Sequence, residues 1–226
     1  SLFDDAAWDA VSPDGPLRAW KLLEINQHRG EPLITSQLRA DERIVNYLKG
    51  LNHIDPRLTA LLAPLEVEGD VQAELPPSQQ QAVDEILRQL DEHTHRLPTV
   101  QLLGCHSPSQ QVIAWHVAAR LGLELYRMAA ELAPPQPAEI GTLSRLWQRE
   151  SLLRPLALYL DTHNLERAAE GLSHSLRRFF VHAHGLVFLG TRELWSNLGI
   201  SHLVVEVNKP TPSEQERVWA VALADA

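Results

Sequence analysis

The sequence predicts an α/β fold, a mostly parallel five-stranded sheet flanked by helices and preceded by a small helical N-terminal unit. Three observations carry that prediction. Beyond Pro98, short apolar runs alternate with amphipathic stretches long enough to be crossover helices, the rhythm of βαβ units. Over residues 99–121 a strand-like run, a glycine, a polar loop and a helical period follow one another. Upstream, residues 66–77 are acidic and proline-bearing, which reads as a linker. A boundary near residue 75 therefore separates an N-terminal helical unit, 1–75, from the α/β domain, 76–226.

Composition bounds the function classes. The chain has 226 residues, 44% apolar and 22% charged, the balance of a soluble globular protein with enough surface to bury one α/β core and a small satellite. Twenty basic against 29 acidic residues give a net charge of −9, so nucleic acid is a disfavoured partner. The single cysteine, Cys105, excludes an internal disulfide and a four-cysteine zinc site and fits a reducing compartment. Apolar runs such as 186–189 fall far short of the ~20 residues that span a bilayer, and Ser1-Leu2-Phe3-Asp4-Asp5 lacks the basic start of a secretory signal. A cytoplasmic location with no membrane contact is expected. The basic residues are 17 Arg and three Lys, and residues 50–208 contain no lysine.

In chain order, the acidic first dozen residues end in the turn cluster Val11-Ser12-Pro13-Asp14-Gly15-Pro16 and read as a leader or frayed terminus. Thr35-Ser36-Gln37-Leu38 begins a capped helical segment, and Ile44, Tyr47, Leu48 and Leu51 recur as one helix face that ends at Gly50 or just beyond. Residues 57–65 continue briefly. Ser78 caps a helix whose Val83, Ile86, Leu87 and Leu90 share a face. Strands are predicted at 99–103, 124–128, 156–160, 185–189 and 202–207, with helices at 112–121, 138–150, 165–182 and, opened by Ser213, 214–223. Ala133-Pro134-Pro135-Gln136-Pro137 is a loop. No internal repeat occurs, and the chain is expected to be a fragment of a longer protein.

Gly104-Cys105-His106-Ser107-Pro108-Ser109-Gln110-Gln111, between a strand and a helix, stands where a phosphate-binding loop would. The pattern G-x-x-x-x-G-K-[ST] falls on Gly104, Ser109, Gln110 and Gln111, so only the first glycine remains. Pro108 deletes an N–H donor that could wrap phosphate oxygens. Gln110 lacks the lysine charge that meets the β- and γ-phosphates, and Gln111 is a poor substitute for the hydroxyl on Mg²⁺. Leu156-Ala157-Leu158-Tyr159-Leu160-Asp161 is the apolar run plus aspartate of a Walker B strand, but Thr162 and His163 follow where a glutamate would orient water. Thr191, after Val187-Phe188-Leu189-Gly190, is a polar residue at the end of the fourth strand.

On these residues the chain resembles an AAA-type P-loop ATPase core over residues 78–223. The segment 208–219, Asn-Lys-Pro-Thr-Pro-Ser-Glu-Gln-Glu-Arg-Val-Trp, is similar to the family's passage from the fifth strand into the lid helix. With the upstream 39–48, Arg-Ala-Asp-Glu-Arg-Ile-Val-Asn-Tyr-Leu, the chain resembles bacterial AAA ATPases in which a degenerate ATPase-like module precedes a competent one, among them proteins that accompany extracellular contractile injection systems. The resemblance implies a P-loop NTPase-like three-layer sandwich with strand order 5-1-4-3-2, lacking its lid. It also implies other modules or subunits of the same ATPase as partners and a ring-like homo-oligomer. Gly104, Ser109, Gln110, Gln111, Asp161 and Thr191 would be a vestigial nucleotide pocket, with no cofactor expected and ATP or ADP the nucleotides it would take if any. Thr191 falls where such ATPases place a residue that senses the γ-phosphate. Arg177 and Arg178 lie near the place where ring neighbours offer an arginine finger and would face an adjacent subunit, against the plainer reading of a solvated basic edge beside Phe179 and Phe180.

Other constellations carry less. His93-Thr94-His95 and His182-Ala183-His184 place their rings on opposite faces of a strand or about 200° apart on a helix, so no metal is expected. Cys105 beside His106 lacks an orienting partner, and Glu166, Glu193 and Glu206 have no spacing that makes them catalytic. Trp8 and Trp20 are too large for a small N-terminal unit to enclose alone and would pack on the main domain or on another module. The function expected is a non-catalytic module for assembly, partner binding or regulation of an active ATPase module. The rivals are a nucleotide-binding P-loop protein whose arginines replace the lysine, and an α/β adaptor unrelated to ATPases.

Overall fold

The computed structural model describes residues 8–67, 75–93, 97–165 and 170–224. A short turn α1 (Pro16–Ala19) leads into an antiparallel pair, β1 (Leu23–Asn26) and β2 (Gln37–Ala40), followed by α2 (Glu42–Leu48), the single turn α3 (Pro56–Thr59) and the short β3 (Ala63–Pro64). The rest alternates: α4 (Pro77–Asp91), β4 (Thr99–Leu103), α5 (Ser107–Arg120), β5 (Glu124–Ala129), α6 (Pro137–Leu153), β6 (Leu156–Asp161), α7 (Glu170–His182), β7 (Leu186–Thr191), β8 (His202–Glu206) and α8 (Pro212–Ala224). All five predicted strands form, with ends shifted by a residue or two. The helix expected over 165–182 is described from Glu170 onward, its start and Glu166 lying outside the described residues.

The strands lie in the order β3-β5-β6-β7-β4-β8, with β3 antiparallel to β5 and every other pairing parallel. Numbered in chain order, the five parallel strands read 5-1-4-3-2, the order that the resemblance implies. Both faces are covered, so β6 and β7 are buried at every position. Leu158, Leu160, Val187 and Leu189 pack with Trp147, Phe179 and Phe180 of α6 and α7. Ala157, Tyr159, Leu186 and Phe188 pack on the other side with Val83, Ile86, Ile113 and Val117 of α4 and α5. The result is an α/β sandwich of three layers, each large side chain contributing roughly 1.5–3 kcal/mol by burial.

The N-terminal part departs from the expected helices. Thr35 and Ser36 turn their hydroxyls back onto Pro32 O, at 3.0 and 3.1 Å, closing a turn instead of capping a helix. Gln37–Ala40 is therefore extended and pairs with β1. The helix starts only after Asp41, whose carboxylate accepts the Arg43 backbone N–H at 3.0 Å. Its apolar face does not turn inward: Leu48 is 79% exposed, whereas Arg43 is 4% exposed and paired with Glu150 of α6. The chain also joins the α/β body before residue 75. Leu58 and Leu62 enter the core beside Trp147, β3 extends the sheet edge, and Leu65 N–H donates to Leu125 O at 2.8 Å.

Candidate functional site

The carboxyl ends of β4, β6 and β7 converge at the Gly104 loop. A Cβ on Gly104, whose φ is +155°, would collide with Val207 O, so the turn accepts only glycine. Helix α5 then starts at Ser107, earlier than its apolar period suggests, because Pro108 fits the first turn and His106 caps it. His106 Nδ1 accepts the Ser109 backbone N–H at 3.2 Å and contacts Ser109 Oγ at 2.7 Å, and Gln79 Nε2 donates to the same hydroxyl at 2.8 Å. Only Cys105 and His106 separate Gly104 from the helix, and Ser109, at the pattern's second glycine, lies inside it.

Gln110, at the lysine position, is fully buried. Its Nε2 donates to Gly104 O at 3.0 Å and to Thr191 O at 3.2 Å, and its Oε1 accepts from Tyr159 Oη at 3.4 Å. Burial, and then the Asp161 carboxylate, push the Tyr159 phenol well above its ordinary range, so it stays a neutral donor. Gln111 Nε2 donates to Ser107 Oγ at 2.9 Å within its own helix.

Asp161 is 5% exposed and fully engaged. One oxygen takes the His163 backbone N–H at 3.1 Å and faces His163 Nδ1 at 3.0 Å, and the other pairs with Arg127 of β5 at 2.6 Å. His163 Nε2 lies 3.3 Å from Gly104 O, which joins the aspartate to the loop. Thr191 donates its hydroxyl to Glu193 O at 2.7 Å. Gly104, Ser109, Gln110, Asp161 and Thr191 are thus brought together, while Gln111 points back along α5.

Arg177 and Arg178 part company. Arg177 borders a cleft of about 380 Å³ beyond the ends of β6 and β7, with His163, Thr191, Arg192 and Trp195. Arg178 faces another cleft between α6 and α7. Sequence reasoning missed Arg127, Tyr159 and Arg192. Arg127 had a usable signal, a cation between the apolar Tyr126 and Met128 in mid-strand.

Among the described residues no group of three or more His, Cys, Asp or Glu could hold a metal. Of the first histidine pair, His93 is described, its Nδ1 2.8 Å from Gln89 O, and His95 lies outside the described residues. In the second pair, His184 Nδ1 lies 3.1 Å from His182 O, so that nitrogen meets a carbonyl. His106 turns its Nδ1 to Ser109 and not to the exposed Cys105.

The sequence matches no protein-family model and no curated protein sequence. Among solved structures it is similar to the Thermotoga maritima RuvB Holliday junction branch migration motor, with 17% identity, 72% of this chain and 55% of that chain covered, and a TM-score of 0.48. It is also similar to the FIGL-1 AAA domain, with 17% identity, 83% and 70% covered, and a TM-score of 0.46. The chain thus spans about half the length of the RuvB structure it matches. Among the described residues no helix is long and apolar enough to cross a membrane.

Proposed function

We propose that this chain is a non-catalytic AAA-like module of a larger bacterial ATPase, acting in assembly, partner binding or regulation of an active module. One observation carries the reading: the side chain at the lysine position, Gln110, is buried and spends its amide on Gly104 O, Thr191 O and Tyr159 Oη. A phosphate would have to displace those bonds and would gain no cation from the residue at the lysine position in return. Asp161 supports the same reading, because Arg127 and His163 already occupy the oxygens that would hold Mg²⁺ through water. The residues present do not fit a Mg²⁺–nucleotide. A cytoplasmic location, a ring-like assembly and a parent of the contractile-injection type belong to the same proposal.

Thermal unfolding with about 1 mM ATP or ADP, with and without Mg²⁺, tests it. A site with a Kd near 10 μM would add about 2.7 kcal/mol and raise Tm by roughly 5–10 °C. The expected result is no shift, and none after Gln110→Lys. The rival reading, a nucleotide site served by arginine, is favoured by Arg177 and Arg192 beside Thr191. A nucleotide-dependent shift that disappears in Arg177→Ala/Arg192→Ala would establish the rival.

A further inference from the structure

The cleft between α6 and α7, on the helical layer and away from the Gly104 loop, has a volume of about 540 Å³. Its formally charged lining is of one sign, Arg145 from α6 and Arg178 from α7, with His182 of α7 beside them and no carboxylate. Trp20, from the end of α1, closes one side. Among the described residues the Arg145 and Arg178 guanidinium groups, the His182 ring and the Trp20 indole N–H have no hydrogen-bond or ion-pair partner. Arg178 and His182, four residues apart on α7, share a face. Four donor groups therefore border one cleft with no acceptor charge to meet them, on a chain whose net charge is −9.

We propose that this cleft docks an acidic segment of a protein partner, its carboxylates on Arg145 and Arg178 and an apolar side chain against Trp20. Charge complementarity selects the occupant: on a chain of net charge −9, the lining of this cleft carries two arginines and no carboxylate, so it attracts an acidic segment. The guanidinium forks match carboxylates in geometry as well as charge. The lining runs along α6 from Ala138 to Gln148, about 15 Å at 1.5 Å per residue. That length suits four or five residues of extended chain at roughly 3.3 Å each, more than one small anion would fill. Pro137, the first residue of α6, has no N–H to offer a phosphate, and Glu139 and Ile140 spend theirs on Gln136 O, so the cationic donors of the cleft are side chains.

The inference rests on the reading of the chain as a partner-binding module, but the two fail separately. A nucleotide-induced Tm shift would overturn that reading without touching this cleft, and the converse holds for peptide binding. The probe is a fluorescein-labelled octapeptide of alternating Glu and Leu, titrated by anisotropy, with its Lys–Leu counterpart as control. The expected result is binding of the acidic peptide only, weakening with salt. It should fall at least about tenfold in Arg145→Glu/Arg178→Glu, and by far less in the charge-matched Arg39→Glu/Arg217→Glu, both pairs being exposed. Circular dichroism and Tm close to those of the parent chain confirm that each variant folds. No binding of the acidic peptide, or equal loss in both variants, overturns the proposal. So does tighter binding of tripolyphosphate at the same arginines, or self-association abolished by Arg145→Glu/Arg178→Glu, which would make the occupant a phosphate compound or a second copy.

Discussion

Gly190 lies against the ring of Tyr159: a methyl added there would collide with Tyr159 Oη and stand 2.6 Å from the carbon that bears it. Tyr159 is fully buried in β6, on the same face as Phe188 of β7, and its ring cannot swing away without opening the core. Gly190→Ala is therefore expected to destabilise by about 1–3 kcal/mol, measured by urea unfolding. Tyr159→Phe should relieve the variant only in part, since the ring carbon remains in the way. A Gly190→Ala protein as stable as the parent would show that the sheet relaxes freely here. The sequence made the loss of the lysine at Gln110 legible, because a motif fixes which residue stands where. It could not say what Gln110 does instead, because its partners come from positions 104, 159 and 191 and meet only once the sheet is assembled.

Helix α8 is fastened by a carboxylate. Thr211 and Glu214 form a reciprocal cap: Thr211 N–H donates to one Glu214 oxygen at 2.8 Å, while the Glu214 N–H approaches Thr211 Oγ1 at 3.4 Å. The other oxygen takes the Ser78 N–H at 2.9 Å, in the first turn of α4. The Thr211 N–H and then the Ser78 N–H pull the Glu214 pKa down to about 2. A depressed folded pKa means stability that is present above the unfolded value, about 4.3, and is lost as pH falls toward the folded one. Glu214→Gln should lower Tm at pH 7, with the gap to the parent narrowing below about pH 4.5 and closing at about pH 2. A gap constant with pH would rule this carboxylate out as the fastening. Elements were legible where burial is uniform: the apolar runs 156–160 of β6 and 186–189 of β7 announce a sheet covered on both faces. They were not where polar contacts decide, as at Thr35 and Ser36, whose hydroxyls serve a turn as readily as a helix start.

At the scale of the whole molecule, three cations and three carboxylates join the N-terminal part to α6. Arg43 pairs with Glu150 at 3.0 Å, Arg149 reaches Asp55 and lies 3.4 Å from Asp41, and Arg57 meets Asp55 at 2.6 Å and Asp41 at 2.7 Å. Arg149 also donates to Lys21 O at 2.8 Å. Here the apolar periodicity of α2 misled, since it assumes that a helix turns its leucines inward. In this chain Arg43 goes inward instead, drawn by a carboxylate 107 residues away that no local pattern reveals. Burial raises the Glu150 pKa against the pull of Arg43 and Arg149, so ionising this group costs stability as pH rises. Asp55 runs the other way: burial raises it, but the bonds from Arg57 prevail and its pKa is lowered. Arg43→Met would leave Glu150 buried with its main partner gone, at a cost of about 3–5 kcal/mol near neutral pH. Because protonated Glu150 needs no counter-charge, that deficit should shrink as pH is lowered. Arg43→Met/Glu150→Met should recover most of it, since an apolar pair of similar volume avoids both desolvation costs. Chemical denaturation of the parent, the single and the double variant at about pH 7 and about pH 5 decides the matter. A double variant no more stable than the single one would mean that the charges hold the N-terminal part in register and cannot be replaced by packing.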